Sequence, residues 1–167
     1  MMRRKGGQAT VELALATVLL FGLLFAIIDL GVLFFVNLTM QNAVRTATRY
    51  AVTGQSGLDP NGGTDRMAAL VQAIKDNSYG LYDKNLHNPK DPTVKVIQPL
   101  SGVFRNYTGG TVQTSVPGQP NDIIVVSLTY TWPLMTPLLK PLFPNGRYTF
   151  TVKSTMRNEP FSASGGS

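Results

Sequence analysis

From Leu13 to Ile28 the chain reads LALATVLLFGLLFAII, sixteen positions without a charge, and after Asp29 it resumes as LGVLFFVNL. An uncharged run of this length reads as a membrane-crossing helix. Val11 to Leu38 would be about 42 Å long at about 1.5 Å per residue, enough for a hydrocarbon core of about 30 Å. From Met40 the pattern changes. Met40, Ala43, Val44, Ala47, Tyr50 and Ala51 recur at i, i+3, i+4 and i+7, with Gln41, Asn42, Arg45, Thr48 and Arg49 on the opposite side. Gly54 supplies a C-terminal stop. One helix of about 45 residues therefore begins in lipid and ends as an amphipathic rod.

Beyond a Gly/Asp/Pro-rich connector at 54–63, Thr64-Asp65 can cap a second helix with Met67, Leu70, Val71 and Ile74 on one face, ended by Asn77 to Gly80. Then the period shortens. Val94 to Ile97 is a short strand candidate, and 103–116 reads as a hairpin around Gly109-Gly110. Asp122 to Trp132 is β-branched and aromatic, which suits a central strand. Arg147 to Arg157 alternates, with Tyr148, Phe150, Val152 and Met156 on one face and Arg147, Thr149, Thr151, Lys153 and Arg157 on the other. The expected fold class is α+β, with helices on one face of a small antiparallel sheet. The expected division is a basic leader at 1–7, the long helix at 8–54, an exported domain at 55–161 and a flexible tail at 162–167.

Between the last two strands lies PLMTPLLKPLFP, apolar and broken by prolines. Two readings fit it: a connection folded over the domain core, or an exposed loop. In the second, Leu134, Met135, Leu138, Leu139, Leu142 and Phe143 would touch the membrane or a partner. Asp29 is a second open position. A carboxylate within an apolar run is costly unless it is protonated, paired or facing a cavity.

Charge then sets orientation and removes one function class. The net charge of +6 comes from 15 basic and 9 acidic side chains. Three of the basic ones, Arg3, Arg4 and Lys5, precede the apolar run and hold the N-terminus in the cytoplasm, with the C-terminal part exported. The other 12 are scattered, and no helix or loop gathers them into a nucleic-acid-binding stripe. A cleavable secretory signal is disfavoured because the run is too long and no small-residue cleavage site follows it. With 16 glycines and 11 prolines the exported half is turn-rich, and with no cysteine it holds neither disulfide nor thiolate site.

The run Lys5-Gly6-Gly7-Gln8-Ala9-Thr10-Val11-Glu12-Leu13 looks like a type IV prepilin processing site, where a basic leader ends in glycine and a glutamate lies five residues beyond the cut. Residues 7–51, with IIDLG and QNAVRTATRYAV, and the later STMRNEPF resemble TadE-like proteins. These are minor pilins or pseudopilins of tight-adherence (Flp-type) pilus assembly systems. The resemblance implies a pilin-like fold and cleavage by a prepilin peptidase between Gly7 and Gln8. It also implies an assembly role for Glu12, whose carboxylate would neutralise the Gln8 ammonium of a neighbouring subunit. Asp29 is a further candidate for assembly. Leu13, where the major pilins usually place an aromatic residue, points to a minor subunit. The implied partners are the peptidase, other pilin subunits through the N-terminal helix, the inner-membrane assembly platform and the lipid bilayer. The implied role is support of pilus assembly and adhesion from the inner membrane. The rival from another class is an unprocessed, membrane-tethered binding module.

Catalytic chemistry has little to stand on. The single histidine, His87, sits in a polar loop, and Asp83, His87 and Asp91 match no established metal-ligand spacing. Asp59, Asn61 and Asp65 alternate in a Gly-rich loop as calcium ligands do, but without a closing glutamate. Gly109-Gly110 is a turn without the Lys-Ser/Thr of a phosphate loop. The expectation is a non-enzymatic protein without cofactor.

Overall fold

A computed structural model of the chain describes residues 6–84, 92–97, 104–107, 118–137 and 139–161. Arg3 to Lys5, His87, Asp91, the Gly109-Gly110 turn, Leu138 and the tail after Phe161 lie outside the described residues. The first helix, α1, runs Gly6–Val52, 47 residues without interruption. A second helix, α2 (Arg66–Asp76), and four strands follow: β1 (Thr93–Ile97), β2 (Phe104–Tyr107), β3 (Ile123–Pro133) and β4 (Arg147–Arg157). The sheet order is β2-β1-β3-β4, so the β-branched β3 is interior and β4 forms an edge. The class is α+β, as the period shift along the chain requires.

Two compact units divide these elements. One holds the chain up to Phe35 together with Pro133–Tyr148; the other holds Val36–Trp132 and the chain from Thr149 onward.

In the second unit the register of the sheet follows from burial. β1 runs antiparallel to β3 with Val94 opposite Val126 and Val96 opposite Ile124, all four buried. A one-residue slip would turn these side chains to the solvent face. On the other face, the Thr129 and Thr151 hydroxyls lie 3.0 Å apart, as do those of Thr131 and Thr149. Such cross-strand threonine pairs show β4 antiparallel to β3. Val36, Met40, Ala43, Val44, Ala47 and Ala51 of α1 are all buried, which is the amphipathic stripe expected from spacing. Two positions depart from it. Thr48, expected on the polar side, is fully buried and satisfies its hydroxyl by donating 2.6 Å to the Val44 carbonyl. Tyr50 is only half-buried, because its hydroxyl accepts from the Leu58 N–H at the edge of the core.

The second helix is rotated from its expected face. Asp65 caps it as its sequence predicts, accepting from the Met67 and Ala68 N–H groups. However, the buried residues are Ala69, Leu70, Ala73 and Ile74, whereas Met67 and Val71 are half-buried. Two alanines let the helix backbone come close, and that outweighs burial of the larger side chains at the flank. Tyr130, fully buried, anchors the centre. Its hydroxyl donates to the Leu81 carbonyl at 2.8 Å, and its ring lies 5.6 Å from that of Phe150. Burial pushes the phenol up to about 12, so it stays a donor.

The end of α1 is closed by the C-terminal segment. The Gly54 N–H returns to the Ala51 carbonyl, and Gly54 takes φ +75°, where a side chain is strained. A Cβ there would stand 2.5 Å from the Phe161 ring. The Glu159 N–H donates to the Val52 carbonyl at 2.9 Å. Arg66 ties the three pieces together, donating to the Ala51 carbonyl at 2.9 Å and the Gly118 carbonyl at 2.6 Å, with its guanidinium 4.6 Å from the Phe161 ring centroid. The resemblance in STMRNEPF thus maps onto a segment that docks at the end of the resembling helix.

Gly54→Ala should destabilise the detergent-solubilised chain by about 1–3 kcal/mol, through positive φ and the Phe161 clash. Gly7→Ala, a helical site whose Cβ would meet nothing within 4 Å, should stay within about 1 kcal/mol of wild type. Thermal unfolding followed by circular dichroism checks this, and equal effects at both sites would contradict the packing described.

Candidate functional site

The residues expected to serve processing and assembly, Gly7, Gln8 and Glu12, lie on the first two turns of α1. Gly7 is exposed and contacts nothing that would exclude a side chain, so the chain's own packing gives no reason for glycine there. Gln8 and Glu12 are exposed and one turn apart, and the Gln8 amide donates to the Glu12 carboxylate at 3.1 Å. Beyond them, Leu13, Val18, Leu19, Leu20 and Leu23 are each more than 60% exposed. Among the described residues nothing covers this apolar surface, and α1 is long and apolar enough to cross a membrane.

Asp29 differs from Glu12 in kind. It is 2% exposed, while Ile28 and Leu30 beside it are half open. Its carboxylate accepts from the Met135 N–H at 3.1 Å, the Thr136 N–H at 2.9 Å and the Thr136 hydroxyl at 2.5 Å. These donors exist because the chain starts a turn here. Pro137 follows Thr136, and the Lys140 N–H returns to the Thr136 carbonyl, which leaves the leading N–H groups without partners in their own turn. Asp29 therefore acts as the cap of a turn more than a hundred residues away in sequence.

The apolar connection between β3 and β4 thus falls in one compact unit with the N-terminal part of α1. It closes on itself through the Leu134 N–H to the Gly146 carbonyl at 3.0 Å, with short 3-10 turns at Lys140–Leu142 and Pro144–Gly146. Among its candidate contact residues, Leu134 is buried, Leu139 and Phe143 are half-buried, and Met135 and Leu142 are 63% and 74% exposed. Phe143 packs edge-on against Tyr148.

The other candidate groups are structural. Asp59 accepts from the Asn61 N–H at 3.0 Å and the Asp65 N–H at 3.1 Å, while Asp65 caps α2. Their oxygens organise the turn entering that helix rather than converging on a cation. Among the described residues, no group of three or more His, Asp or Glu side chains could hold a metal ion. Arg45 and Arg49 are exposed on α1, and Arg45 and Gln41 border an open polar cleft along Thr151–Met156 of the edge strand β4. Sequence reasoning singled out neither Thr136 nor Arg66. The one signal for Thr136 was a Thr-Pro turn start in an apolar loop of a chain with an unpartnered intrahelical Asp.

Residues 7–49 match the family model described as TadE-like protein, a stretch lying wholly within α1. It is the family that residues 7–51 resemble, and it links the N-terminal apolar helix to Tad pilus-associated proteins. No curated protein and no solved structure matches the chain.

Two outcomes follow from this geometry. Asp29→Ala should accelerate hydrogen exchange at the Met135 and Thr136 amides about ten-fold or more, because both lose a charged acceptor. The Asn61 and Asp65 N–H groups hold the Asp59 carboxyl below its ordinary value of 3.8. Its contribution to stability is complete above that value and disappears as the pH falls through the lowered one. Melting curves of Asp59→Asn should accordingly show less acid sensitivity than wild type in that range, and an unchanged slope would contradict the assignment.

Proposed function

We propose that this chain is a minor pilin or pseudopilin of a Tad (Flp-type) type IV pilus, processed between Gly7 and Gln8, which supports pilus assembly and adhesion from the inner membrane. One observation carries the reading: the TadE-like match coincides with α1, and inside it Gly7, Gln8 and Glu12 stand exposed at the spacing of a prepilin site.

The physical logic runs from the cut outward. A prepilin peptidase at the cytoplasmic face needs backbone to approach backbone, which glycine at position 7 permits. Cleavage removes Arg3, Arg4 and Lys5 and leaves an α-ammonium on Gln8, one turn from an exposed carboxylate at Glu12. In a bundle of such helices, Glu12 of one subunit pairs with the Gln8 ammonium of the next. A charge pair in an apolar bundle sets register more than it adds stability. The uncovered apolar surface from Leu13 onward exchanges lipid for neighbouring helices, one apolar environment for another. The partners are the peptidase, other pilin subunits and the inner-membrane assembly platform. The N-terminus is cytoplasmic, the sheet domain is exported, and the role is structural rather than catalytic.

The intact mass and N-terminal residue of the membrane-extracted chain test the reading directly, in strains with and without prepilin peptidase. A peptidase-dependent start at Gln8 is expected. A chain that keeps Arg3 to Lys5 in both strains would replace this reading with the tethered binding module. Glu12→Ala should still insert in the membrane but abolish filament assembly and surface adhesion, scored by electron microscopy and a binding assay. Unchanged assembly would remove the role given to Glu12.

A further inference from the structure

We propose that the loop at 133–146, latched to α1 by Asp29, is a membrane-interface element. It inserts Met135 and Leu142 into the leaflet on its own side and holds Asp29 at the bilayer boundary, so that the loop sets how deep α1 sits. The proposal requires that α1 spans the bilayer; it does not require that the chain enters a pilus.

The first argument is the spacing of the carboxylates. Glu12 and Asp29 bracket Leu13–Ile28, an uncharged stretch of about 24 Å as a helix. A hydrocarbon core of about 30 Å accommodates it with modest thinning or with the flanking side chains reaching outward. Placed deeper, Asp29 would bring the whole loop into hydrocarbon, including the charged Lys140. Placed at the boundary, it keeps Lys140 within reach of headgroups while the apolar side chains turn toward the acyl chains. Leu30, Phe34 and Phe35, all exposed, then follow within about 9 Å along the axis, in the headgroup layer.

The second argument is that the loop is built to lose water. Its prolines at 137, 141 and 144 carry no N–H. The N–H groups of Leu134, Met135, Thr136, Lys140, Leu142, Phe143 and Gly146 all have acceptors within the loop or on Asp29. These seven amides are satisfied without water, which lowers the cost of bringing this backbone toward hydrocarbon.

The third argument identifies the occupant. Met135 and Leu142 are exposed in the same compact unit as the uncovered apolar surface of α1. The bilayer that covers one is continuous with the surface that meets the other. A short apolar element of this kind, bearing a cation, lies in the interface plane rather than crossing it.

The chain has no cysteine, so single labels can be placed cleanly. The full chain would carry an environment-sensitive fluorophore at Leu142→Cys, at Leu20→Cys as a helix reference and at Thr155→Cys as a water-exposed reference. It would be reconstituted alone in phosphatidylcholine–phosphatidylglycerol vesicles containing lipids with nitroxides at shallow or deep acyl positions. The label at 142 should be quenched several-fold more by shallow than by deep nitroxides, the label at 20 should show the reverse, and the label at 155 neither. Adding Asp29→Ala, or the milder Asp29→Asn, should reduce quenching at 142 several-fold and leave position 20 unchanged. If the label at 142 were as open to aqueous iodide as that at 155, the loop would belong to a protein partner and the proposal would fall. Absence of quenching at 20 would remove the spanning helix and the proposal with it. Quenching at 142 that survives both Asp29 variants would overturn the latch.

Discussion

A carboxylate in the middle of an apolar helix must find donors, and the way Asp29 finds them shapes the N-terminal unit. No residue on α1 supplies them. They come from Met135 and Thr136, 106 and 107 positions later, at the start of a turn whose leading N–H groups have no partners of their own. Two deficits, a buried anion and an uncapped turn, cancel each other. The connection between neighbouring strands β3 and β4 is thereby joined to a helix that the sequence places at the other end of the chain.

A second junction closes the C-terminal end of α1. Gly54 takes a left-handed turn, Phe161 lies against it where any Cβ would intrude, and Arg66 binds carbonyls at Ala51 and Gly118. Arginine suits the position because one planar group serves two carbonyls and an aromatic face together. Both junctions are polar contacts in apolar surroundings, where a missing partner costs more than a present one contributes.

The division of α1 follows from what covers it. Up to Ile28 its apolar side chains are exposed on all sides, apart from a few half-buried positions. From Val36 a buried stripe appears and joins the core of the sheet domain. The exposed section is long and apolar enough to cross a membrane; the buried section is committed to its own fold. The proposed assembly through the N-terminal helix would need this separation, and the TadE-like match lies wholly within α1.

Local information was enough for much of this. Helix and strand positions, the Asp65 cap, the Gly54 stop, the interior place of β3 and the α+β class all follow from periodicity and composition, because each depends on neighbours within a few residues. The prepilin-like spacing of Gly7 and Glu12 was legible for the same reason. Where the expected faces shifted, at Thr48, Tyr50 and the face of α2, the cause was packing: a hydroxyl satisfied by its own helix, another reached by a loop N–H, and alanines that allow close approach. The partner of Asp29, the grouping of the apolar loop with the N-terminal part of α1 and the role of Arg66 were decided only by the tertiary structure. Each is a pairing between groups distant in sequence, and one side's deficit carries no mark of where the other side's donor lies.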